Sequence, residues 1–199
     1  MYNDDVRNHG SGNAGMTNVL RTYGKLPAVF TTIGDVGKSV AAVNLGRFIF
    51  GALLSGTGAA WQNPLDPVCG AYLAAIFCMI GHSRPLFFGF KGGKGVLVGA
   101  VMLAFFDWRV FVIAFALFIL SVVLTKWISL GSILGAVSFP ITTWLFYRDP
   151  VLTAMAFGMA AAVVFMHRSN IGRILHGTEN KFSFKSKKTI EASPDGEEK

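Results

Sequence analysis

A chain of 199 residues in which 52% are apolar and only 15% are Asp, Glu, Lys or Arg lies well below the roughly 25% charge of a water-soluble domain. With a mean hydropathy of +0.50, this excludes a disordered chain and an ordinary soluble core, and points to one membrane domain. The net charge of +7 does not point to nucleic acid, because the basic residues sit between apolar runs instead of alternating with aromatics on one polar surface.

Residues 1–25 are polar and lack the apolar stretch of a cleavable signal, so none is expected. Residues 10–21 read GSGNAGMTNVLR. The glycines let the backbone turn, while Ser11, Asn13, Thr17, Asn18 and Arg21 supply donors, a combination that suits an oxyanion. It equally suits a plain loop leading into a helix capped by Thr17 or Asn18. Residues 27–56 form an apolar stretch that carries Asp35, Lys38 and Arg47. Charges inside a span must pair or face a polar cavity, and Asp35 and Lys38, three apart, fit either a functional pair or a self-neutralising one. Residues 67–81 predict a shorter span, whose Cys69 and Cys78 form no metal or redox motif and read as packing thiols.

Residues 81–95 read GHSRPLFFGFKGGKG. Lys91-Gly92-Gly93-Lys94-Gly95 ahead of a helix joins backbone amides, two cations and a positive helix end, the physics of phosphate binding. It is not a nucleotide-hydrolysing loop, since Gly95 follows Lys94 where Ser or Thr would stand. The competing reading is a turn whose lysines only enforce topology. A short helix is expected at 95–106, then full spans at 110–125, 127–147 and 150–166, each free of charge. Residues 167–179 read HRSNIGRILHGTE. On a helix leaving the membrane, His167, Asn170 and Arg173 share a face and bring an imidazole, an amide and a guanidinium to headgroup level, while His176 reads as solvated or capping. Residues 180–199, rich in Lys, Ser and Glu, read as a mobile extension.

Fourteen of the eighteen Lys and Arg residues fall in segments that six spans place on one side: 1–26, 83–94, Lys126 and 167–199. These are expected to be cytoplasmic, with 57–66 outside, and Trp61, Trp108, Trp127 and Trp144 lie near span ends, where interfacial aromatics belong. The expected fold is an all-α polytopic membrane protein, a helix bundle of about six spans with Gly-rich cytoplasmic loops, forming one domain over residues 1–179.

The three polar segments resemble the bacterial acyl-phosphate-dependent glycerol-3-phosphate acyltransferases of the PlsY type. That family's motifs read approximately GSGNxGxTNxxR, GHxxPxFxxFKGGKG and HRxNIxRLxxGxE, and they stand here at 10–21, 81–95 and 167–179. Asp35 and Lys38 resemble its Asp-x-x-Lys element. Met16, Ser39, Arg84 and Ile174 depart from the pattern, and Arg84 adds a cation to an already basic loop. Family members are seven-helix bundles, and their span ahead of the first motif has no counterpart before residue 10.

The resemblance implies transfer of a fatty acyl group from acyl phosphate to the sn-1 hydroxyl of glycerol 3-phosphate, giving 1-acylglycerol 3-phosphate and phosphate. No cofactor, metal or nucleic acid is expected; the partners are the two substrates and membrane lipids, around a monomer in the bacterial cell membrane with its site on the cytoplasmic side. His167, Asn170 and Ser11 are the candidate catalytic residues. Ser11, Asn13, Thr17, Asn18, Arg21, His82, Lys91, Gly92, Gly93, Lys94 and Arg173 are the candidate phosphate-binding residues, with Asp35, Lys38 and Glu179 supporting. Phosphate is a good leaving group, so direct transfer is expected. His167 either takes the hydroxyl proton or holds a phosphate oxygen while the substrate phosphate acts as base. Ser11 as a covalent nucleophile is a further alternative, although no base adjoins it in sequence. A carrier or channel for a phosphorylated metabolite is the competing class, but the polar segments form no inverted repeat.

Overall fold

A computed structural model describes residues 4–55 and 66–182. The expected outward loop at 57–66, including Trp61, falls outside the described residues apart from the start of a helix at Asp66, and so does the tail from 183 onward. Eight α-helices follow in order: α1 (Met16–Tyr23), α2 (Lys25–Ser55), α3 (Asp66–Ser83), α4 (Val96–Phe106), α5 (Trp108–Thr125), α6 (Ile128–Tyr147), α7 (Pro150–Met166) and α8 (Arg168–Leu175). Short 3-10 turns stand at Val6–Asn8 and Leu86–Phe88, and no strand occurs among the described residues.

The helix ends follow local chemistry. Asp107 caps α5 by accepting from the Arg109 N–H at 2.8 Å, and Asp149 caps α7 by accepting from the Leu152 N–H at 2.8 Å, with Pro150 in the first turn, where its missing N–H costs nothing. α1 begins differently from expectation. Its N-cap is Gly15, without a side-chain cap bond, so neither Thr17 nor Asn18 performs that task.

Pro67–Phe88, Trp108–Thr125 and Ile128–Tyr147 are long and apolar enough to cross a membrane. α7 and α8 pass the same test only as a pair, bent by 57° at His167, the geometry of a broken span or a re-entrant turn. Two of the six expected spans fall outside that criterion for opposite reasons. α2 has 31 residues, a length of about 46 Å at 1.5 Å per residue, but carries Asp35, Lys38 and Arg47. α4 has 11 residues, about 17 Å against roughly 30 Å of hydrocarbon.

The most extensive packing joins α2 to α3, α5 to α6 and α6 to α7. α2 and α3 meet backbone to backbone: a Cβ on Gly46 would lie 2.3 Å from the Gly70 carbonyl oxygen, and one on Gly70 would lie 2.4 Å from that of Gly46. Small residues permit this approach, which is how helices gain contact where lipid offers no hydrophobic contrast. At the centre Tyr72 and Phe139 each stack on Phe106 and tilt against each other, with ring centroids 4.2 to 6.0 Å apart. Around them Val43, Val98, Met102, Val110 and Leu152 are wholly buried. Outside, Phe48, Phe77, Leu124 and Phe157 are each more than 60% exposed, the apolar exterior of a bundle made for lipid.

Candidate active site

The first polar segment is a folded loop whose keystone is Asn18. Its buried side chain accepts from the Ser11 N–H at 3.0 Å, and its Nδ2 donates to the carbonyls of Val6, His9 and Asn13 at 2.9 to 3.0 Å. An amide so committed has no donor left for a ligand, so Asn18 shapes the loop instead of binding phosphate. Asn13 also turns inward, accepting from the Gly15 N–H at 2.8 Å. Ser11 and Arg21 are exposed and Thr17 is half-buried. No hydrogen bond among the described residues joins them to Lys94 or His167.

Arg7 ties this segment to the next. Asp5 fixes its guanidinium through Nε, at 2.9 and 2.8 Å to the two carboxylate oxygens, and Nη1 donates to the Phe88 carbonyl and, at 3.3 Å, to that of Lys91. This residue lies outside all three motifs. A lone arginine just ahead of a Gly-rich loop is its only signal in the sequence.

The Lys91–Gly95 loop gives its glycines a use other than the expected one. Gly92 N–H donates to the Ser83 carbonyl at 3.1 Å and Gly93 N–H to that of His82 at 3.2 Å. These amides are spent inside the fold and do not form an anion cradle. Glycine is required here because a Cβ at 92 would lie 2.0 Å from the His82 carbonyl oxygen, and one at 93 would lie 2.1 Å from His82 Nε2. The loop therefore lies flat against the end of α3, with Lys91 exposed and Lys94 half-buried.

Lys94 enters the centre of the arrangement. Its ammonium donates to Asn170 Oδ1. Asn170 Nδ2 in turn donates to Glu179 at 2.7 Å, and Glu179 also accepts from Arg173 Nε at 2.7 Å and Ser129 Oγ at 2.8 Å. Four elements converge here: the loop before α4, the first turn of α6, α8 and the segment after it. Ser129 gives no signal in the sequence, since one hydroxyl in an apolar helix carries no motif. Burial works against the Glu179 carboxylate, but hydrogen bonds from Asn170, Ser129 and Arg173 outweigh it and hold its pKa below the ordinary value. Burial, reinforced by the nearby Arg173 charge, lowers that of Lys94.

His167 does not share one continuous helix face with Asn170 and Arg173, as the sequence suggested, but occupies the break between α7 and α8. It is only 3% exposed, and its Nδ1 lies 2.8 Å from the Val163 carbonyl oxygen. A carbonyl only accepts, so Nδ1 carries the hydrogen and Nε2 keeps its lone pair. Burial lowers the pKa of the ring, partly offset by the Val163 bond, which favours the neutral form that can take a proton.

Asp35, Lys38 and His82 form a second cluster where α2 meets the end of α3. Lys38 Nζ lies 2.5 Å from Asp35 Oδ1 and 2.8 Å from His82 Nδ1. Within the described start of the expected extension, Phe182 N–H donates to the Lys126 carbonyl at 2.7 Å and fastens the chain beyond Glu179 to the α5–α6 turn.

The family model for glycerol-3-phosphate acyltransferase matches residues 1–177. The glycerol-3-phosphate acyltransferase of Clostridioides difficile (strain 630) is 39% identical over 181 residues, 91% of this chain and 83% of its own length. That of Desulforamulus reducens is 40% identical over 181 residues, with the same shares covered. The crystal structure of PlsY (YgiH), an integral membrane glycerol 3-phosphate acyltransferase, in its glycerol 3-phosphate form superposes with a TM-score of 0.74 at 28% identity, covering 91% of this chain and 84% of that one. Its lysophosphatidic acid form gives 0.71 at 28% identity, over 87% and 82%. With the motifs in order, the fold alike and nearly the whole chain matched, this protein belongs to the glycerol-3-phosphate acyltransferase family.

Proposed function

We propose that the protein transfers a fatty acyl group from acyl phosphate to the sn-1 hydroxyl of glycerol 3-phosphate, at the cytoplasmic face of the bacterial cell membrane. Membership in the family supports the acceptor and the acyl transfer. The observation that carries the site is the convergence of Lys94, Asn170, Arg173 and Glu179, next to a buried imidazole with a free lone pair, at one end of an apolar bundle. Lys94 and Arg173 bind phosphate, with Ser11, Thr17, Arg21, His82 and Lys91 completing the anionic subsites. Glu179 and Ser129 hold the amide and guanidinium in place. A mostly apolar hollow of about 490 Å³ is lined by Phe118, Val122, Lys126, Ile128 and Phe182, and in the chain Ile128 precedes Ser129 while Phe182 follows Glu179 by three residues. It suits the first carbons of an acyl chain.

In the reaction the glycerol oxygen bonds to the acyl carbon, the bond from that carbon to phosphate oxygen breaks, and phosphate departs with the electron pair. The hydroxyl proton goes to His167 Nε2 or to the dianionic phosphate of glycerol 3-phosphate. The tautomer of His167 favours the first route, and the lowered basicity of its ring favours the second. The remaining work is alignment and charge stabilisation, and no acyl-enzyme is required. Purified protein given palmitoyl phosphate and glycerol 3-phosphate is expected to release phosphate and form lysophosphatidate in equal amounts. Uptake of glycerol 3-phosphate into proteoliposomes without either product would instead establish a carrier, and an acylated Ser11 trapped without acceptor would refute direct transfer.

A further inference from the structure

The cluster of Asp35, Lys38 and His82 lies outside the Lys94 network, yet its three distances decide where a proton sits. Lys38 Nζ is 2.5 Å from Asp35 Oδ1 and 2.8 Å from His82 Nδ1, while Asp35 Oδ1 and His82 Nδ1 are 3.4 Å apart. An ammonium has three hydrogens and no lone pair, so any atom at hydrogen-bond distance from it must accept. Asp35 and His82 are thus two acceptors converging on one cation. A hydrogen on His82 Nδ1 would be driven against that ammonium. Its alternative acceptor, the carboxylate at 3.4 Å, is well beyond the roughly 2.7–2.9 Å of a charge-assisted bond. His82 is consequently the neutral ring with its hydrogen on Nε2.

That hydrogen has a definite place. A Cβ on Gly93 would stand 2.1 Å from His82 Nε2, so the N–H edge of the ring lies across the α-carbon of the residue before Lys94. Nε2 makes no hydrogen bond among the described residues, and the His82 side chain is about nine-tenths buried. His167, which feels the charge of Lys94, carries the opposite tautomer, with Nδ1 donating to Val163 and Nε2 left unprotonated.

The geometry points to a pair of imidazoles preset in opposite senses, with His82 Nε2–H a fixed neutral donor to a substrate anionic oxygen beside Lys94, and Lys38, anchored by Asp35, the positioning residue that keeps it a donor. This rests on the proposed acyl transfer and assigns its second histidine. A neutral donor adds directionality where Lys94 already supplies charge, and escapes the desolvation cost of a second buried cation. Lys38 does not touch substrate. It acts through the tautomer of His82, and Asp35 acts through Lys38.

The test is nitrogen-15 NMR of the full chain, histidine-labelled and reconstituted in lipid, with ring signals assigned by loss in His82→Gln and His167→Gln. His82 is expected to show an unprotonated Nδ1 and a protonated Nε2, and His167 the reverse. Adding glycerol 3-phosphate, or inorganic phosphate as the simpler anion, should shift the His82 Nε2–H resonance. These readings need no turnover, so they remain decisive if the protein fails to acylate anything. In steady-state kinetics Lys38→Met should raise KM for a phosphorylated substrate about tenfold or more, the effect of losing one donor to a charged group, with a smaller change in kcat. Lys38→Arg, which can donate to both acceptors, should restore the tautomer. A wild-type His82 protonated on Nδ1, an unchanged tautomer in folded Lys38→Met, or a His82 signal indifferent to both anions would overturn the assignment. The wild-type spectrum decides even if Lys38→Met does not fold.

Discussion

At the far end of α4 from the Gly-rich loop, Asp107 accepts from Arg109 through its backbone N–H at 2.8 Å and its guanidinium at 2.6 Å, and from Tyr147 Oη at 3.0 Å. Arg47, from α2, donates to the carbonyls of Phe105 and Phe106, which close α4. Every charge described there is paired or spent on a helix end. At the near end, Lys94 and Arg173 converge on a network with one carboxylate, Glu179, while Lys91 and Arg21 point outward. Both ends are polar clusters at the ends of apolar helices, and composition does not separate them. Each holds two cations and one carboxylate; what separates them is that Arg109 and Arg47 are spent on Asp107 and on the carbonyls that close α4, whereas Lys94 is bonded among the described residues to the neutral amide of Asn170 and keeps its charge for an anion.

That contrast is broken most sharply at His167. His167→Ala should lower kcat by about a hundredfold or more, the usual worth of a positioned acid or base. In the intact protein the acid limb of kcat/KM should fall below pH 6.5, the ordinary histidine value, because burial depresses this ring. A limb above 6.5 would mean that the group read in the profile is not this one. Lys94→Ala should come next, raising KM for a phosphorylated substrate about tenfold to a hundredfold by removing one charged donor. An unchanged KM for both substrates would take Lys94 out of the site.

The opposite end should respond in stability and not in KM. Asp107→Ala removes a helix cap and the Arg109 and Tyr147 bonds, and should cost about 1–2 kcal/mol, reduced because Arg109 is nearly half exposed. The Arg109 hydrogen bond, working against burial, holds the Asp107 carboxyl below its ordinary 3.8. Its contribution is therefore complete above pH 3.8 and is lost as pH falls through the lower folded value. Denaturation midpoints of wild type and variant should differ at neutral pH and converge only in that acid range. A KM effect from Asp107→Ala would mean that the two ends are coupled.

The apolar helices were legible because a span needs little more than a charge-free run between polar boundaries. Residues 150–166 show this best, entered through Asp149 and Pro150 and left at His167. The break at His167 was not legible, since Arg168, Ser169 and Asn170 contain no helix breaker. It occurs where the Val163 carbonyl accepts from both the backbone and the ring of His167, and where Asn170 is drawn toward Lys94 and Glu179. In the same way, a Gly-Gly pair reads alike whether it presents amides to an anion or makes room for a neighbour. Only the ring of His82, folded back against residue 93, distinguishes the two. Asn18 was misread for a related reason: its partners Val6 and His9 lie before the motif that drew attention to it. The motifs marked the residues, and tertiary structure decided which of their atoms remain available.

The fastening of Glu179 and Phe182 beside α6 bears on how the protein is made. Synthesis delivers Lys94 and Ser129 to the membrane well before the carboxylate that unites them with Asn170 and Arg173 leaves the ribosome. A chain that ends before residue 179 lacks the acceptor that Ser129, Asn170 and Arg173 share. The clasp of Phe182 on Lys126 follows within three residues of that carboxylate. In chain order the carboxylate that joins Ser129, Asn170 and Arg173 thus comes last, after α8.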